Sequence, residues 1–331
     1  MAGYGTFPLN KIQLGREETA GTAVAATSIW RGPATDIVDE STHQFAEEDV
    51  GILVPTDREY ISKLYATLAM PETEATFEQI LHVLEAGIQT ATPAGTQAPY
   101  TYTYAFPLTA TLNAIKTYTL ETGNVVGGDA NEMQYAFVTD FSLSGAAGEA
   151  WKLAANWAGR QKSTTTLTGA LSLTAQEEML FNKTTLYIDA SAGTVGTTAK
   201  AGVLTAASVE VTTGIVPVWT ADGALYFYSH KFTRPTVAYS LTLELESTSG
   251  VAAAERAAWV AKTLRLIQLK IAGATAGTEM KINIAGKHLS FGEYNNSDGN
   301  TVIEISGEAK YSSVDALFAS FIVKNALATV P

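Results

Sequence analysis

The sequence predicts a mainly β fold with a few helices, α+β in class, on three observations. Short segments mixing Thr, Val, Tyr and Ile recur along the chain, and these residues suit a pleated, half-buried surface. Apolar and polar residues alternate, as at Phe141-Ser142-Leu143-Ser144, the pattern of a strand with one buried face. Nearly the same hairpin is written twice, at 141–160 and again at 269–287. With 331 residues, 46% of them hydrophobic, the chain is long enough for two domains that each bury a core.

Taken in order, residues 1–55 show little periodicity and read as an extended arm. "EEDVG" (Glu47 to Gly51) falls in a long loop, and "REYISKLYATLAM" ends in a strand-like alternation. Thr76 and Gln79 mark a helix start; Phe77, Ile80, Leu81, Leu84 and Ile88 form its apolar stripe, and Gly87 lies where it should stop. "APYTYTYAFP" gives a Tyr-rich strand. In the first hairpin, Trp151, Leu153, Ala155 and Trp157 point one way and Lys152, Ala154 and Asn156 the other. In the second, Met280, Ile282 and Ile284 oppose Lys281 and Asn283. "TLYIDAS", "SVEVTTGIVPVW" and "GALYFYSHKF" read as strands between them, "VAAAERAAWVAK" as a helix, and "YNNSDGN" as a hairpin turn.

The flanks of the two hairpins also correspond. Tyr118-Thr119-Leu120-Glu121 precedes the first and Leu241-Thr242-Leu243-Glu244 the second. After the first, Thr174 and Glu177 carry a capping-box pattern for a short helix. After the second, Val314, Leu317, Phe318 and Phe321 stand at helical spacing. Recurrence of four elements in one order predicts an internal duplication, with domains at 1–182 and 183–331.

Composition excludes several functions. Cysteine is absent, so disulfides, thiolate nucleophiles and Cys-based zinc sites are all ruled out. The first fifteen residues lack a basic stretch followed by an apolar one, which predicts no signal peptide. No run of about 18 apolar residues predicts a membrane span. The net charge of −12 makes the protein a poor general binder of nucleic acid, because affinity for DNA comes largely from neutralising phosphates. The same charge suits a surface that touches DNA without gripping it.

Catalytic chemistry is hard to find. His43, His82, His230 and His288 are not at metal-ligand spacing, and no H-E-x-x-H, P-loop or G-x-S-x-G occurs. His82, beside the helix stripe, suits a hydrogen-bonded structural role. "NNSDGN" lacks the alternating acidic ligands and closing Glu of a calcium loop. Glu47, Glu48 and Asp49 have the chemistry to coordinate a cation or act as paired carboxylates, but an interface or solvated charge cluster is the favoured expectation. The sequence therefore predicts no enzyme, no metal and no cofactor.

A family resemblance rests on "KIQLGREETAGTAVAATSIWRG" (11–32), "EEDVGILVPTDREY" (47–60), "MPETEATFEQILHVLEAGI" (70–88) and "EMQYAFVTDFSLSGAAGEAWKLAANWAGRQ" (132–161). Their order and combined length resemble the tail tube (major tail) proteins of long-tailed bacteriophages. The resemblance covers the first half well and the second by general character. It implies tandem tail-tube-like β-sandwich or barrel domains, each with a flanking helix, in a structural virion protein made in the host cytoplasm. Such subunits form stacked rings around a lumen that holds the tape measure protein and later passes DNA, with tail terminator and tail tip proteins at the ends.

By this resemblance the loop carrying Glu47, Glu48, Asp49 and Tyr60 is a candidate ring-stacking element. Lys152, Asn156, Lys281 and Asn283, on the polar sides of the repeated strands, are candidate lumen or inter-subunit positions. Two copies of the ring-building unit per chain favour a trimeric ring with pseudo-sixfold symmetry over a hexamer. The competing expectation is a two-domain carbohydrate-binding or adhesin-like surface module; a hydrolase with dispersed carboxylates ranks third.

Overall fold

A computed structural model describes residues 6–245, 250–297 and 299–331. The first five residues of the expected arm and Asp298 of the "YNNSDGN" turn lie outside these. In the first half the elements run β1 (Asn10–Arg16), β2 (Ser28–Trp30), β3 (Val38–Asp39), β4 (Thr42–Phe45), β5 (Glu59–Lys63), β6 (Ala66–Glu74), α1 (Ile80–Gly87), β7 (Tyr100–Ala105), β8 (Tyr118–Asn124), β9 (Ala130–Ala146), β10 (Lys152–Gly159) and β11 (Lys162–Thr165). The second half continues with β12 (Thr184–Ala190), β13 (Ala199–Lys200), β14 (Leu204–Thr212), β15 (Ile215–Val218), β16 (Ser229–Phe232), β17 (Thr236–Glu244), α2 (Val251–Val260), β18 (Arg265–Ala272), β19 (Glu279–Phe291), β20 (Asn295–Ser297), β21 (Asn300–Ala309) and β22 (Ala319–Asn325). The fold is mainly β, with large antiparallel sheets and two α-helices among the described residues.

Each half is two packed layers joined by one bent strand. The beginning of β9 pairs with β8 and β11, and its end pairs with β10. Tyr135, at φ 54°, marks the corner. Likewise the beginning of β19 pairs with β18 and β22, and its end with β21. One layer is therefore β2-β1-β8-β9-β11 in the first half and β13-β12-β18-β19-β22 in the second. The other layer is β3-β6-β10-β9 in the first half and β14-β17-β21-β19 in the second. The core fills the space between layers. Tyr118 on β8 meets Trp157 on β10 edge-on at 5.5 Å between ring centroids.

The same pairings thus recur, but not where the repeated hairpin suggests. The counterpart of the β18–β19 hairpin is β8–β9, whereas β9–β10 corresponds to β19 and β21. The comparison of 141–160 with 269–287 is therefore off by one strand. Amphipathic strands around a small-residue turn resemble one another whatever their place in the sheet, and β9 and β19 each serve two layers.

Three further expectations are corrected. Residues 10–16 are not arm but β1, with Ile12 and Leu14 fully buried in the sandwich. Thr174 and Glu177 start no helix; the Glu177 carboxylate instead accepts the backbone N–H groups of Ala274 and Thr275 at the β18–β19 turn. Residues 314–325 give a turn and β22 in place of a helix. Open ladders of β19 and β7 on either side recruit the stretch, and Phe321 and Val323 bury on the period-2 face.

The expected first helix does form, later than its cap. Thr76 Oγ1 accepts the Gln79 N–H at 3.1 Å, while the Gln79 side chain turns away to accept the Arg31 N–H. The two halves also interlock. β7 leaves the first half to pair with β22. Phe141 and Phe321 meet at 5.7 Å across the halves, and one cluster of buried side chains runs through both.

Candidate assembly interface

The end of β9 pairs with β14, so the second layers of the two halves merge. One sheet of eight strands results, β3-β6-β10-β9-β14-β17-β21-β19, four from each half. Alternation gives it a buried face and an exposed one. Leu153, Leu143, Val209, Leu241 and Ile305 face the core. The opposite face carries Lys152, Asn156, Asp140, Ser142, Ser144, Ser208, Glu210, Thr242, Glu304 and Glu308, short hydroxyls interspersed with carboxylates. Two shallow depressions, of about 300 and 310 Å³, lie on this face across β10, β9, β14 and β17. Asn156 Nδ2 donates to Asp140 Oδ1 at 2.6 Å, and Ser240 Oγ to Glu304 Oε1 at 2.7 Å.

Both ends of this sheet are open. Among the described residues, β3 pairs with β6 alone at one end, and at the other His288–Phe291 of β19 pair with β21 alone, with the Trp259 indole of α2 donating to the Leu289 carbonyl at 3.2 Å. Unpaired ladder groups on an edge are a template for another chain. The β4–β5 hairpin projects beside the first edge. Its strands and tip expose Phe45, Val50, Ile52, Leu53 and Val54, an apolar set that exposed loops rarely carry without a partner.

A helix braces each half through a buried carboxylate. In the first, Glu85 of α1 accepts Arg16 Nη2 at 2.6 Å and Nε at 3.0 Å, and the Tyr118 hydroxyl at 3.1 Å; His82 Nδ1 lies 3.2 Å from that hydroxyl. In the second, Glu255 of α2 accepts Arg265 Nη2 at 2.6 Å and Nε at 2.9 Å, and His288 lies between Glu255 and the Tyr239 hydroxyl at 3.0 and 2.9 Å. Burial lowers the Arg16 pKa, but the Glu85 carboxylate more than offsets this and raises it. Burial works to raise Glu255, but His288 and Arg265 hold it below its ordinary value. Burial, with the Arg16 charge nearby, takes His82 down to about 3, so it is neutral.

The sequence-predicted residues divide among these features. Lys152 and Asn156 share the exposed polar face. Lys281 and Asn283 do not; they lie on the outer side of the other layer of the second half. There Asn283 is buried, accepting from Gln268 Nε2 at 2.7 Å and donating to Ser320 Oγ at 3.1 Å. Lys281 joins Lys270 and Lys324 around Glu279 at 3.2, 3.2 and 2.7 Å. Burial opposes that charge, yet the three ammonium groups hold the Glu279 carboxyl down at about 2. Glu47, Glu48 and Asp49 lie on the β4–β5 tip, where Glu48 accepts Arg58 Nη1 at 2.8 Å and Thr56 Oγ1 at 3.0 Å and so closes the loop on itself. Tyr60 is exposed on β5.

Sequence reasoning passed over the apolar run Val50–Val54 directly after the acidic cluster, and both sheet edges. An apolar run inside a loop is a readable signal; an open edge is a property of the assembled sheet. Among the described residues no three His, Asp or Glu side chains converge as metal ligands would, and no helix is long and apolar enough to cross a membrane. No protein-family model matches the chain, and no curated protein matches it either.

Proposed function

We propose that the chain is a structural virion protein that self-assembles into stacked rings forming a hollow phage tail tube, with no catalytic role. The observation that carries this reading is the eight-strand sheet with a polar, acidic face and two open ends. A sheet with complementary open ends closes when copies join head to tail, which satisfies both of its ends at once. Three copies of eight strands make a wall of about 24, and barrels of 16–18 strands already leave an aqueous channel. A trimer with pseudo-sixfold symmetry is therefore favoured over a hexamer.

In that arrangement the exposed polar face lines the lumen. Carboxylates there repel phosphate, so DNA passes without being held. The tape measure protein occupies the same channel before ejection, and tail terminator and tail tip proteins cap the stack. The β4–β5 tip, with Glu47, Glu48, Asp49 and the apolar residues beyond them, reaches towards the next ring. Electron microscopy of the concentrated protein tests the reading: tubes with a central channel support it. A monodisperse monomer at every concentration, binding a specific sugar, would support a carbohydrate-binding module in its place.

A further inference from the structure

The seam inside one chain specifies the seam between chains. Along β9–β14, Asp140 faces Thr212, Phe141 faces Val211, and Ser142 faces Glu210. Each strand of this seam has a counterpart in the other half, and those counterparts are the open edges. β9 and β19 both carry an irregularity, at Thr139 against β10 and at Leu289 against β21, which equates Asp140, Phe141 and Ser142 with Ser290, Phe291 and Gly292. Leu68 faces Trp157 as Tyr239 faces Gly307, which aligns β6 with β17. Their outer partners then equate Val38 with Glu210 and Asp39 with Val211. Resting on the tube reading, we propose that Val38, Asp39 and Glu40 of one copy pair antiparallel with Gly292, Phe291 and Ser290 of the next.

Backbone direction supports this register independently. The Gly292 N–H donates inward to Glu304 O at 2.8 Å, and the Glu40 N–H donates inward to Tyr65 O at 2.8 Å. Adjacent residues on a strand turn their ladder groups to opposite sides. Phe291 and Asp39 therefore turn theirs outward, and these are the two residues that the register sets face to face. A slip of one residue would set outward groups against inward ones.

Burial repeats the pattern. All eight residues of α1 are buried, and Gly87 at its end lies against Thr213 of the internal seam. In α2, Arg256 and Val260 stay exposed at the open edge. Arg256, without an ion-pair partner among the described residues, shares a cavity of about 490 Å³ with Phe291 and Gly292, on the side where Asp39 arrives. Hairpins correspond as well. β15–β16 sits on the first half through Leu64 N–H to Leu225 O at 3.0 Å, Lys63 over the Trp219 ring at 3.7 Å, and Arg160 Nε to Phe227 O at 3.1 Å. The second-half counterparts of Lys63, Tyr65 and Arg160 are Arg234, Thr236 and Lys310, which line a cavity of about 740 Å³. The base of the neighbour's β4–β5 hairpin docks there.

Paired cysteines test the register without background, because the chain has none. If Asp39 and Phe291 form a hydrogen-bonded pair, Glu40 and Ser290 form the adjacent non-hydrogen-bonded one, where Cβ atoms come close enough for a disulfide. Oxidised tubes of Glu40→Cys/Ser290→Cys should run as covalent multi-chain species on a denaturing gel, and tubes of Val38→Cys/Ser290→Cys as single chains. Intact tubes in which the first variant stays uncrosslinked, or in which both crosslink equally, would overturn the register while leaving the tube standing. Absence of tubes from the unmodified chain would overturn the tube reading itself. If a variant fails to assemble, a side-chain-resolution map of unmodified tubes reads the opposing residues directly.

Discussion

Glu85 and Glu255 occupy the same place in the two halves, each on a helix and each gripped by two nitrogens of an arginine from the layer beneath. The arginines are not counterparts: Arg16 ends β1, and Arg265 begins β18. Removing one partner of such a pair leaves a buried charge uncompensated, which typically costs about 3–5 kcal/mol. Arg16→Met should therefore lower the denaturant midpoint strongly. Arg58→Met, at an exposed pair with Glu48, should leave it unchanged. His82 gives a separate test through pH. Its folded pKa, about 3, lies below the ordinary 6.5, so the unfolded chain binds the extra proton between these values. The stability it contributes is complete above about 6.5 and fades as pH falls, by at most about 1.4 kcal/mol per pH unit. His230, also lowered by burial, acts in the same direction as pH falls below the ordinary 6.5. His82→Gln should flatten the thermal midpoint between pH 6.5 and 4.5; an unchanged slope would contradict the assignment. Little of this was legible in the sequence, since Arg16 and Glu85 stand 69 residues apart. The facing of Lys152 and Asn156 was legible, because period-2 alternation needs no knowledge of the partner strand.

The two hairpins show what an element does when its partner is present and when it is not. Phe227, on the β15–β16 hairpin, is wholly buried against Tyr135 and Phe137, which belong to the first half. Phe45, on β4–β5, is 70% exposed. Replacing residues 46–58 with a short Gly-containing turn should leave the thermal midpoint of the monomer unchanged, because the tip adds nothing to the core. The same change should raise the concentration needed for tube formation by at least tenfold, measured by sedimentation. Unaltered assembly would remove the tip from any stacking role. Elements were read correctly where one period dominates, as in α2 and β10. The reading failed at β22, where Val314, Leu317, Phe318 and Phe321 fit period 3.6 while Phe321 and Val323 fit period 2, and only the flanking ladders decide. It slipped at the repeat for a related reason: β9 is 17 residues long and bends between layers, so its sequence resembles the start of a hairpin at two places.

At the scale of the whole molecule, the halves are joined by a continuous sheet, a shared core and the exchanged strand β7, so neither is expected to fold alone. The polar face of that sheet is where net charge and architecture meet. Glu210→Lys with Glu304→Lys should slow DNA release from assembled virions and make it more sensitive to low salt; unchanged ejection kinetics would separate the acidic face from DNA passage. On the proposed tube reading, a chain with two corresponding halves would span two positions of a six-position ring, which sets the stoichiometry of closure. The most direct measurement is a count of polypeptides in end-on images of single rings. Three chains, each contributing two lobes around a central hole, are predicted. Six chains per ring, or a particle that stays monomeric with both sheet edges exposed, would contradict the account.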